Sequence, residues 1–310
     1  MVKYTEVQFV DWLRGTLRAQ KQGLVLGVGD DCAIARRPAR GEDWLFTTDM
    51  LIEGVHFERA THSPADVGWK TLARGLSDIA AMGGTAKFCL LSLAIAPWTD
   101  RRWIAGFYRG LLEHDVALAG GDLAHTDRVM ADIVVAGAVP RGKALRRDGA
   151  RAGDAIYVSG ALGASALGLA TRRGRAWSIH KRPQPRLELG RFLREKVRAS
   201  AAMDLSDGLS LDLQRLAAAS GLAAEIGMPP VFRGATREQA LHGGEDYELL
   251  FTAGPGARVP RAFRGLALTR IGTMRRGTAG LVTLDGEALP ALGYDHLKKT
   301  EPRMNANERE

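Results

Sequence analysis

The sequence predicts an α/β (α+β) protein of two domains, and three observations lead there. Up to about residue 140, strand-like and helix-like segments alternate. A basic, turn-rich stretch from Pro140 to Gly153 then interrupts the pattern. The alternation restarts at Ala155, and 310 residues suffice for two cores. The expected boundaries are 1–140 for the first domain, 141–153 for a linker region, 154–300 for the second domain and 301–310 for a disordered tail.

Thr5 can cap a first helix that carries Phe9, Val10, Leu13 and Leu17 on one face, ended near Gly23. Trp44–Thr48 reads as a buried strand that delivers Asp49 at its end. Ser63-Pro64 opens the next helix, because Ser can cap it and Pro lacks an amide proton that the first turn leaves unbonded. That helix runs through Trp69 and Leu72 toward Met82, where Gly83-Gly84 stops it. Lys87–Ala96 is an aliphatic strand suited to burial on both faces. Thr99 or Asp100 begins a helix with Trp103, Phe107 and Leu111, followed by a short strand Val116–Ala119 that ends in a Gly120-Gly121 turn. Val129–Val139 is long and β-branched, as strands prefer.

The second half starts with strand Ala155–Ser159 and a Gly160–Ser165 turn into a helix of small residues. Pro183 and Pro185 precede an amphipathic helix from Arg186 toward Arg198. Strand Ala201–Leu205 leads through the Ser206-Asp207-Gly208 turn into helix Leu209–Ala219. Tyr247–Thr252 and Leu266–Ile271 are further strands, and Asp285-Gly286 is a hairpin turn.

Composition narrows the function. Apolar residues make up 45 %, enough for a sizeable core, yet there is no apolar run of about 18 residues, so no membrane span is expected. The amino terminus lacks the apolar segment of a signal peptide, and Cys32 and Cys89 have no metal-ligand spacing; a reduced, cytoplasmic setting is the expectation. The formal charge of +8 admits anionic partners. Aromatics at 6 % form no ladder beside the basic runs, so no dedicated nucleic-acid partner is expected.

The chemistry concentrates in short acidic turns. Gly27-Val28-Gly29-Asp30-Asp31 comes first, followed by Thr47-Thr48-Asp49, Ser77-Asp78, Gly120-Gly121-Asp122 and Asp204-Leu205-Ser206-Asp207-Gly208; Gly243-Gly244-Glu245-Asp246 is a sixth. Each alone reads equally as a solvated turn or a helix cap. Together they suggest one all-oxygen pocket, because clustered carboxylates repel unless a cation compensates them. Phosphates approach such a field only through divalent ions. No P-loop or protein-kinase signature is present, and Gly160 with Gly163 is a weak dinucleotide signal. His56, after Gly54-Val55, could meet a phosphate or only solvent; Arg147 could fork onto phosphate or remain a surface charge.

In this order and spacing, the turns resemble those of thiamine-monophosphate kinases. The resemblance spans nearly the whole chain and rests also on Asp49-Met50-Leu51-Ile52-Glu53-Gly54-Val55-His56-Phe57 and Gly243-Gly244-Glu245-Asp246-Tyr247-Glu248-Leu249. It implies the two-domain fold of the aminoimidazole ribonucleotide synthetase-like superfamily, with amino-terminal domains paired in a homodimer through a barrel-like interface. It implies ATP in a cleft with several Mg²⁺ ions. Asp31, Thr47, Thr48, Asp49, Asp78, Asp122, Asp204 and Asp207 match metal positions. Tyr108, Gly121, Asp122, Arg147 and Ser206 match nucleotide positions, and His56, Glu245 and Tyr294 match substrate positions. Gly75 departs from the pattern, where Asn is usual.

The implied reaction converts thiamine phosphate and ATP to thiamine diphosphate and ADP. The acceptor phosphate has a second pKa of about 6 and needs no general base. Metal-assisted direct transfer, aided by Asp49, Asp122 and Arg147, is therefore expected, without a phospho-enzyme. Another ATP-dependent member of the superfamily is the enzymatic alternative; for selenide phosphorylation the reactive Cys near the amino terminus is missing. A nucleotide-sensing dimer is the non-enzymatic one, and the intact acidic turns in both halves argue against it.

Overall fold

The computed structural model describes residues 41–294 and the backbone of 24–26 and 34–35. The expected helix from Thr5, the turn containing Asp30 and Asp31, Cys32 and the 301–310 tail lie outside the described residues. Strands β1 (Leu24–Leu26) and β2 (Ile34–Ala35) pair antiparallel.

The first half then builds β3 (Glu42–Ile52), α1 (Pro64–Ala81), β4 (Thr85–Ile95), α2 (Arg101–Leu112), β5 (Ala117–His125) and β6 (Met130–Pro140). Ser63 caps α1 as the sequence suggested: its hydroxyl accepts from the Asp66 amide and the Asp66 carboxylate accepts from the Ser63 amide, each at 3.2 Å. Asp100 caps α2 by accepting from the Trp103 amide at 2.7 Å. The apolar stripe of α1, with Leu72, Leu76 and Ile79, is buried in one cluster with Ile133 and Val135 of β6.

Glycine lets the two helices touch. A Cβ at Gly68 would sit 1.9 Å from the Phe107 carbonyl oxygen, and one at Gly110 would sit 1.9 Å from that of Ala65. At Gly75 the contact is with a side chain instead: a Cβ there would lie 2.7 Å from Val135 Cγ2, so a larger residue would require Val135 to shift.

The sheet order is β3-β6-β4-β5, with β4 and β5 parallel and the other neighbours antiparallel. This corrects the expectation of a barrel-like dimer interface. The sheet is open, and β3 and β5, at its two ends, do not pair with each other among the described residues. Four strands are too few to tilt and close on themselves. Helix α1 covers one face, while on the other Phe46 is 66 % and Met50 47 % exposed. Strand β5 also outruns its predicted length. Gly120-Gly121-Asp122 lie within it, because a Cβ at Gly121 would come 1.7 Å from the Leu91 carbonyl oxygen and glycine alone permits that approach.

The second half holds β7 (Ala155–Ser159), α3 (Ala164–Thr171), α4 (Gly174–Lys181), α5 (Leu187–Phe192), β8 (Ala201–Asp204), α6 (Leu209–Ala219), β9 (Ala223–Ile226), α7 (Arg237–His242), β10 (Leu249–Ala253), β11 (Ala262–Phe263), β12 (Leu266–Arg275), β13 (Val282–Leu284) and β14 (Glu287–Ala288). Its sheet runs β14-β13-β9-β12-β7-β10-β8, with β11 beside β12. The Asp285-Gly286 turn joins β13 to β14 with both residues at positive φ. Sequence reasoning missed β9, whose two alanines carry little strand preference; its ladders to β12 and β13 hold it. It also missed α7, although Thr236 and Gln239 form a capping box visible in the sequence.

The halves meet along α1. A Cβ at Gly190 of α5 would lie 1.9 Å from the Ala80 carbonyl oxygen, and Ala80 and Ala81 share a buried cluster with Leu145, Leu189 and Leu193. Toward the amino-terminal end of α1, Asp66 binds Lys181 at 3.0 Å and Arg182 at 2.7 Å. Trp69 donates its indole proton to the Pro183 carbonyl at 2.7 Å.

Candidate active site

A cavity of about 600 Å³ opens between the halves, beside α1. The first half contributes Asp49 near the end of β3, His56 from the loop after it, and Arg74 and Asp78 from α1. The second contributes Asp204 at the end of β8, the Ser206-Asp207 turn, Glu245 and Tyr294. A neighbouring cavity of about 270 Å³ shares Asp78 and Asp204 and adds Thr47 and Arg147. Residues from distant acidic turns therefore meet, because strand ends from both sheets converge on one helix.

Four of the predicted residues that the structure describes line neither cavity. Tyr108 is buried in the first core, 4 % exposed and edge-on to Phe107. Gly121 and Asp122 sit on the exposed part of β5, where Asp122 accepts from the Leu123 amide at 2.9 Å. Thr48 faces out from β3 and donates to Asp132 Oδ1 at 2.7 Å. Ser92 pairs in register with both Asp122 and Asp132, so these two carboxylates flank one position of β4. Asp132 was not singled out from the sequence; it lies inside a strand with no turn motif to mark it.

Each carboxylate at the cavity has a protein partner. Thr47 donates to Asp78, and Ser77 donates to Asp204 at 2.7 Å. Arg74 binds Asp49 at 3.1 Å and Arg215 binds Asp207. Asp212 holds the turn, accepting from the amides of Asp207 at 3.0 Å and Gly208 at 3.1 Å. These partners do not balance the charge. Burial pushes Asp49 up to about 6 despite Arg74, with Asp78 and Asp132 adding to the rise. Burial, then the neighbouring Asp78, push Asp204 up to about 8. Burial likewise raises Asp78 against the Thr47 hydrogen bond.

Such a group lacks positive charge that a hard divalent ion would supply, and its donors are all oxygen, as Mg²⁺ requires. Among the described residues, no three or more His, Cys, Asp or Glu side chains are drawn together closely enough to hold a metal ion.

The opposite wall is built around Glu245. Burial would raise its carboxyl, but Lys70, His180 and Arg74 outweigh that and hold it at about 2. Its backbone is left-handed at φ 64, and Tyr247 follows at φ 50. The adjacent acids are structural. Asp246 accepts from the amides of Gly163 at 2.6 Å and Ser165 at 3.0 Å, at the start of α3, and Glu248 pairs with Arg186. His56 accepts the Ile52 amide on Nδ1 at 3.0 Å, which leaves Nε2 as the protonated nitrogen of the neutral ring. Sequence reasoning missed Lys70 and Arg74. Their signal was spacing, since Lys70, Arg74, Ser77 and Asp78 recur at helical intervals along one stripe of α1.

Residues 29–139 match the family AIR synthase related protein, N-terminal domain, and residues 151–283 match AIR synthase related protein, C-terminal domain. The thiamine-monophosphate kinase of Rhodopirellula baltica is 37 % identical over 86 % of this chain and 88 % of that protein. The thiamine-monophosphate kinase of Escherichia coli (strain K12) is 37 % identical over 90 % of this chain and 94 % of its own length. This chain belongs to the thiamine-monophosphate kinase family. A crystal structure of thiamine-monophosphate kinase from Stenotrophomonas maltophilia K279a shares its fold with a TM-score of 0.76 and 35 % identity, over 93 % of this chain and 98 % of that one. The structure described as AaThiL complexed with AMPPCP and TMP matches with a TM-score of 0.74 and 30 % identity, over 94 % and 96 % of the two chains. Membership of the thiamine-monophosphate kinase family agrees with the resemblance read from the acidic turns.

Proposed function

We propose that this chain phosphorylates thiamine phosphate with ATP, releasing ADP and thiamine diphosphate, by direct in-line transfer in the cleft beside α1. One observation carries the reading. In a chain of this family, Asp49, Asp78, Asp204 and Asp207 share a single cavity with His56 and Glu245. The complex of AaThiL with AMPPCP and TMP supports a nucleotide and an acceptor lying together in that cleft.

Asp31, Thr47, Thr48, Asp49, Asp78, Asp122, Asp204 and Asp207 would hold Mg²⁺, which when bound neutralises phosphate oxygens that bare carboxylates would repel. Asp122 stays in the set because Asp132 flanks the same β4 position and bonds Thr48. Arg147 forks onto the nucleotide phosphates, and Ser206 and Gly121 border them. Tyr108 is not kept, since it is walled into the first core. His56 donates from Nε2 to the acceptor phosphate, while Glu245 and Tyr294 receive the thiamine head. No side chain removes a proton, because the acceptor is already ionised near neutral pH.

The enzyme works as a homodimer through the uncovered face of the first sheet, and in the cytoplasm, where ATP, Mg²⁺ and free thiols such as buried Cys89 coexist. No helix among the described residues is long and apolar enough to cross a membrane.

The test is to mix purified protein with ATP, Mg²⁺ and thiamine phosphate. ADP and thiamine diphosphate should appear in equal amounts, with free thiamine a poor acceptor. Use of free thiamine but not thiamine phosphate would sink the assignment. ATP made chiral at its γ-phosphorus should give inversion; net retention would overturn direct transfer.

A further inference from the structure

Lys70 lies midway along α1 and is 0 % exposed, an unusual place for an ammonium group. Its Nζ donates to the His56 carbonyl oxygen at 3.0 Å and to Glu245 Oε2 at 2.9 Å. Those two residues line the cavity from opposite halves of the chain. One cation thus bridges the loop after β3 and the loop before β10, and its own bond to Glu245 spans 175 residues of chain.

The far side of the bridge is also braced. His180 Nδ1 lies 3.6 Å from Glu245 Oε2 and 2.8 Å from the Ser165 hydroxyl. The other carboxylate oxygen, Glu245 Oε1, is buried without a hydrogen-bond partner, in a side chain 23 % exposed at the cavity. A buried acceptor with no partner costs free energy unless a ligand donor completes it.

We infer that Lys70 is a positioning residue for the acceptor substrate: it locks the His56 loop to Glu245 and leaves Glu245 Oε1 for a donor on the cationic thiamine head. The inference rests on the proposed acceptor. Stability is a poor explanation for the arrangement, because a buried ion pair is often replaceable by apolar groups without loss. The left-handed backbone at Glu245 costs energy as well, and such strain persists where the surroundings over-determine it. Lys70 supplies that constraint from α1, and the Gly243-Gly244 pair supplies the room. The outcome is an ionised carboxylate with one oxygen committed to the protein and one without a hydrogen-bond partner. Lys70 itself meets no reacting atom.

The experiment compares Lys70→Met, Glu245→Gln and the double variant with wild type, whose thiamine phosphate kinase activity is measured first. Lys70→Met should raise KM for thiamine phosphate about ten-fold or more, with KM for ATP within about two-fold of wild type. In the Glu245→Gln background, the Lys70→Met change should add less than about two-fold, since its effect passes through Glu245. If Lys70→Met alone does not fold, the double variant, which leaves no uncompensated carboxylate, is compared with Glu245→Gln and decides the same question. A folded Lys70→Met with unchanged KM for thiamine phosphate would overturn the inference. So would an equal added loss in the Glu245→Gln background. An inactive wild type would instead count against the proposed reaction.

Discussion

Ser77 donates its hydroxyl to Asp204 at 2.7 Å, joining α1 to the end of β8 across 127 residues of chain. Both side chains are buried. The bond places a carboxylate of the second half against the helix that carries Asp78. Ser77→Ala would leave Asp204 with one donor fewer in a site that already pushes its carboxyl up to about 8. The expected cost is about 1–2 kcal/mol of stability, read by thermal unfolding, together with reduced turnover. An unchanged melting temperature and rate would show the bond to be dispensable.

Asp49→Asn and Asp122→Asn should each keep the fold and lose about a hundred-fold or more in turnover. Both changes preserve size and remove charge available to Mg²⁺. Circular dichroism checks the fold and a Mg²⁺ titration the cause. Wild-type turnover at low Mg²⁺ by either folded variant would reject its role. Asp122 is the sharper case, because within one chain it lies outside both cavities.

Asp66 ties the start of α1 to Lys181 and Arg182. Burial would raise its carboxyl, yet Arg182 and Lys181 lower it from 3.8 to about 2. The folded state therefore favours the ionised form. That stability is present in full above the ordinary value of 3.8 and is lost as pH falls through about 2. Asp66→Asn should cost about 1–2 kcal/mol at neutral pH, with partial exposure of both cations keeping the figure low. The gap from wild type should close in acid. A gap that stays constant from neutral pH into strong acid would assign the loss to packing instead.

Phe46 and Met50 stand exposed on the sheet face that α1 does not cover. Sedimentation at micromolar concentration should give about twice the 33.4 kDa chain mass. Phe46→Glu should shift the protein toward the chain mass, because a charge desolvated at an apolar interface is costly. A fully active wild-type monomer would rule out an obligatory dimer, and an unshifted variant would move the interface elsewhere.

Much of the fold was legible because its signals are local. Ser63-Pro64, Asp100, Gly83 and Asp285-Gly286 act within three or four residues, and periodicity placed the helices between them. Strand β9 and the full length of β5 were not legible, since partners remote in sequence hold them. The site divides in the same way. Asp49, Asp78, Asp204 and Glu245 were marked by glycine, serine or threonine neighbours in short motifs, whereas Lys70 and Asp132 sit inside regular elements, Lys70 marked only by its helical spacing from Arg74, Ser77 and Asp78 and Asp132 by no motif.

The sequence by itself determined the α/β class, most element boundaries, the family and the acidic turns that carry the chemistry. These follow from local backbone preference and from residue order, both of which a linear chain displays. Only the tertiary structure decided which turns share a cavity, that the first sheet stays open, and why Gly68 and Gly110 must lack side chains. It alone brought Lys70 to Glu245 and Ser77 to Asp204. Such pairings depend on distances between segments more than a hundred residues apart, set by how two sheets pack on one helix. The physics that selects them is burial and charge compensation in three dimensions, for which the chain order carries no local mark.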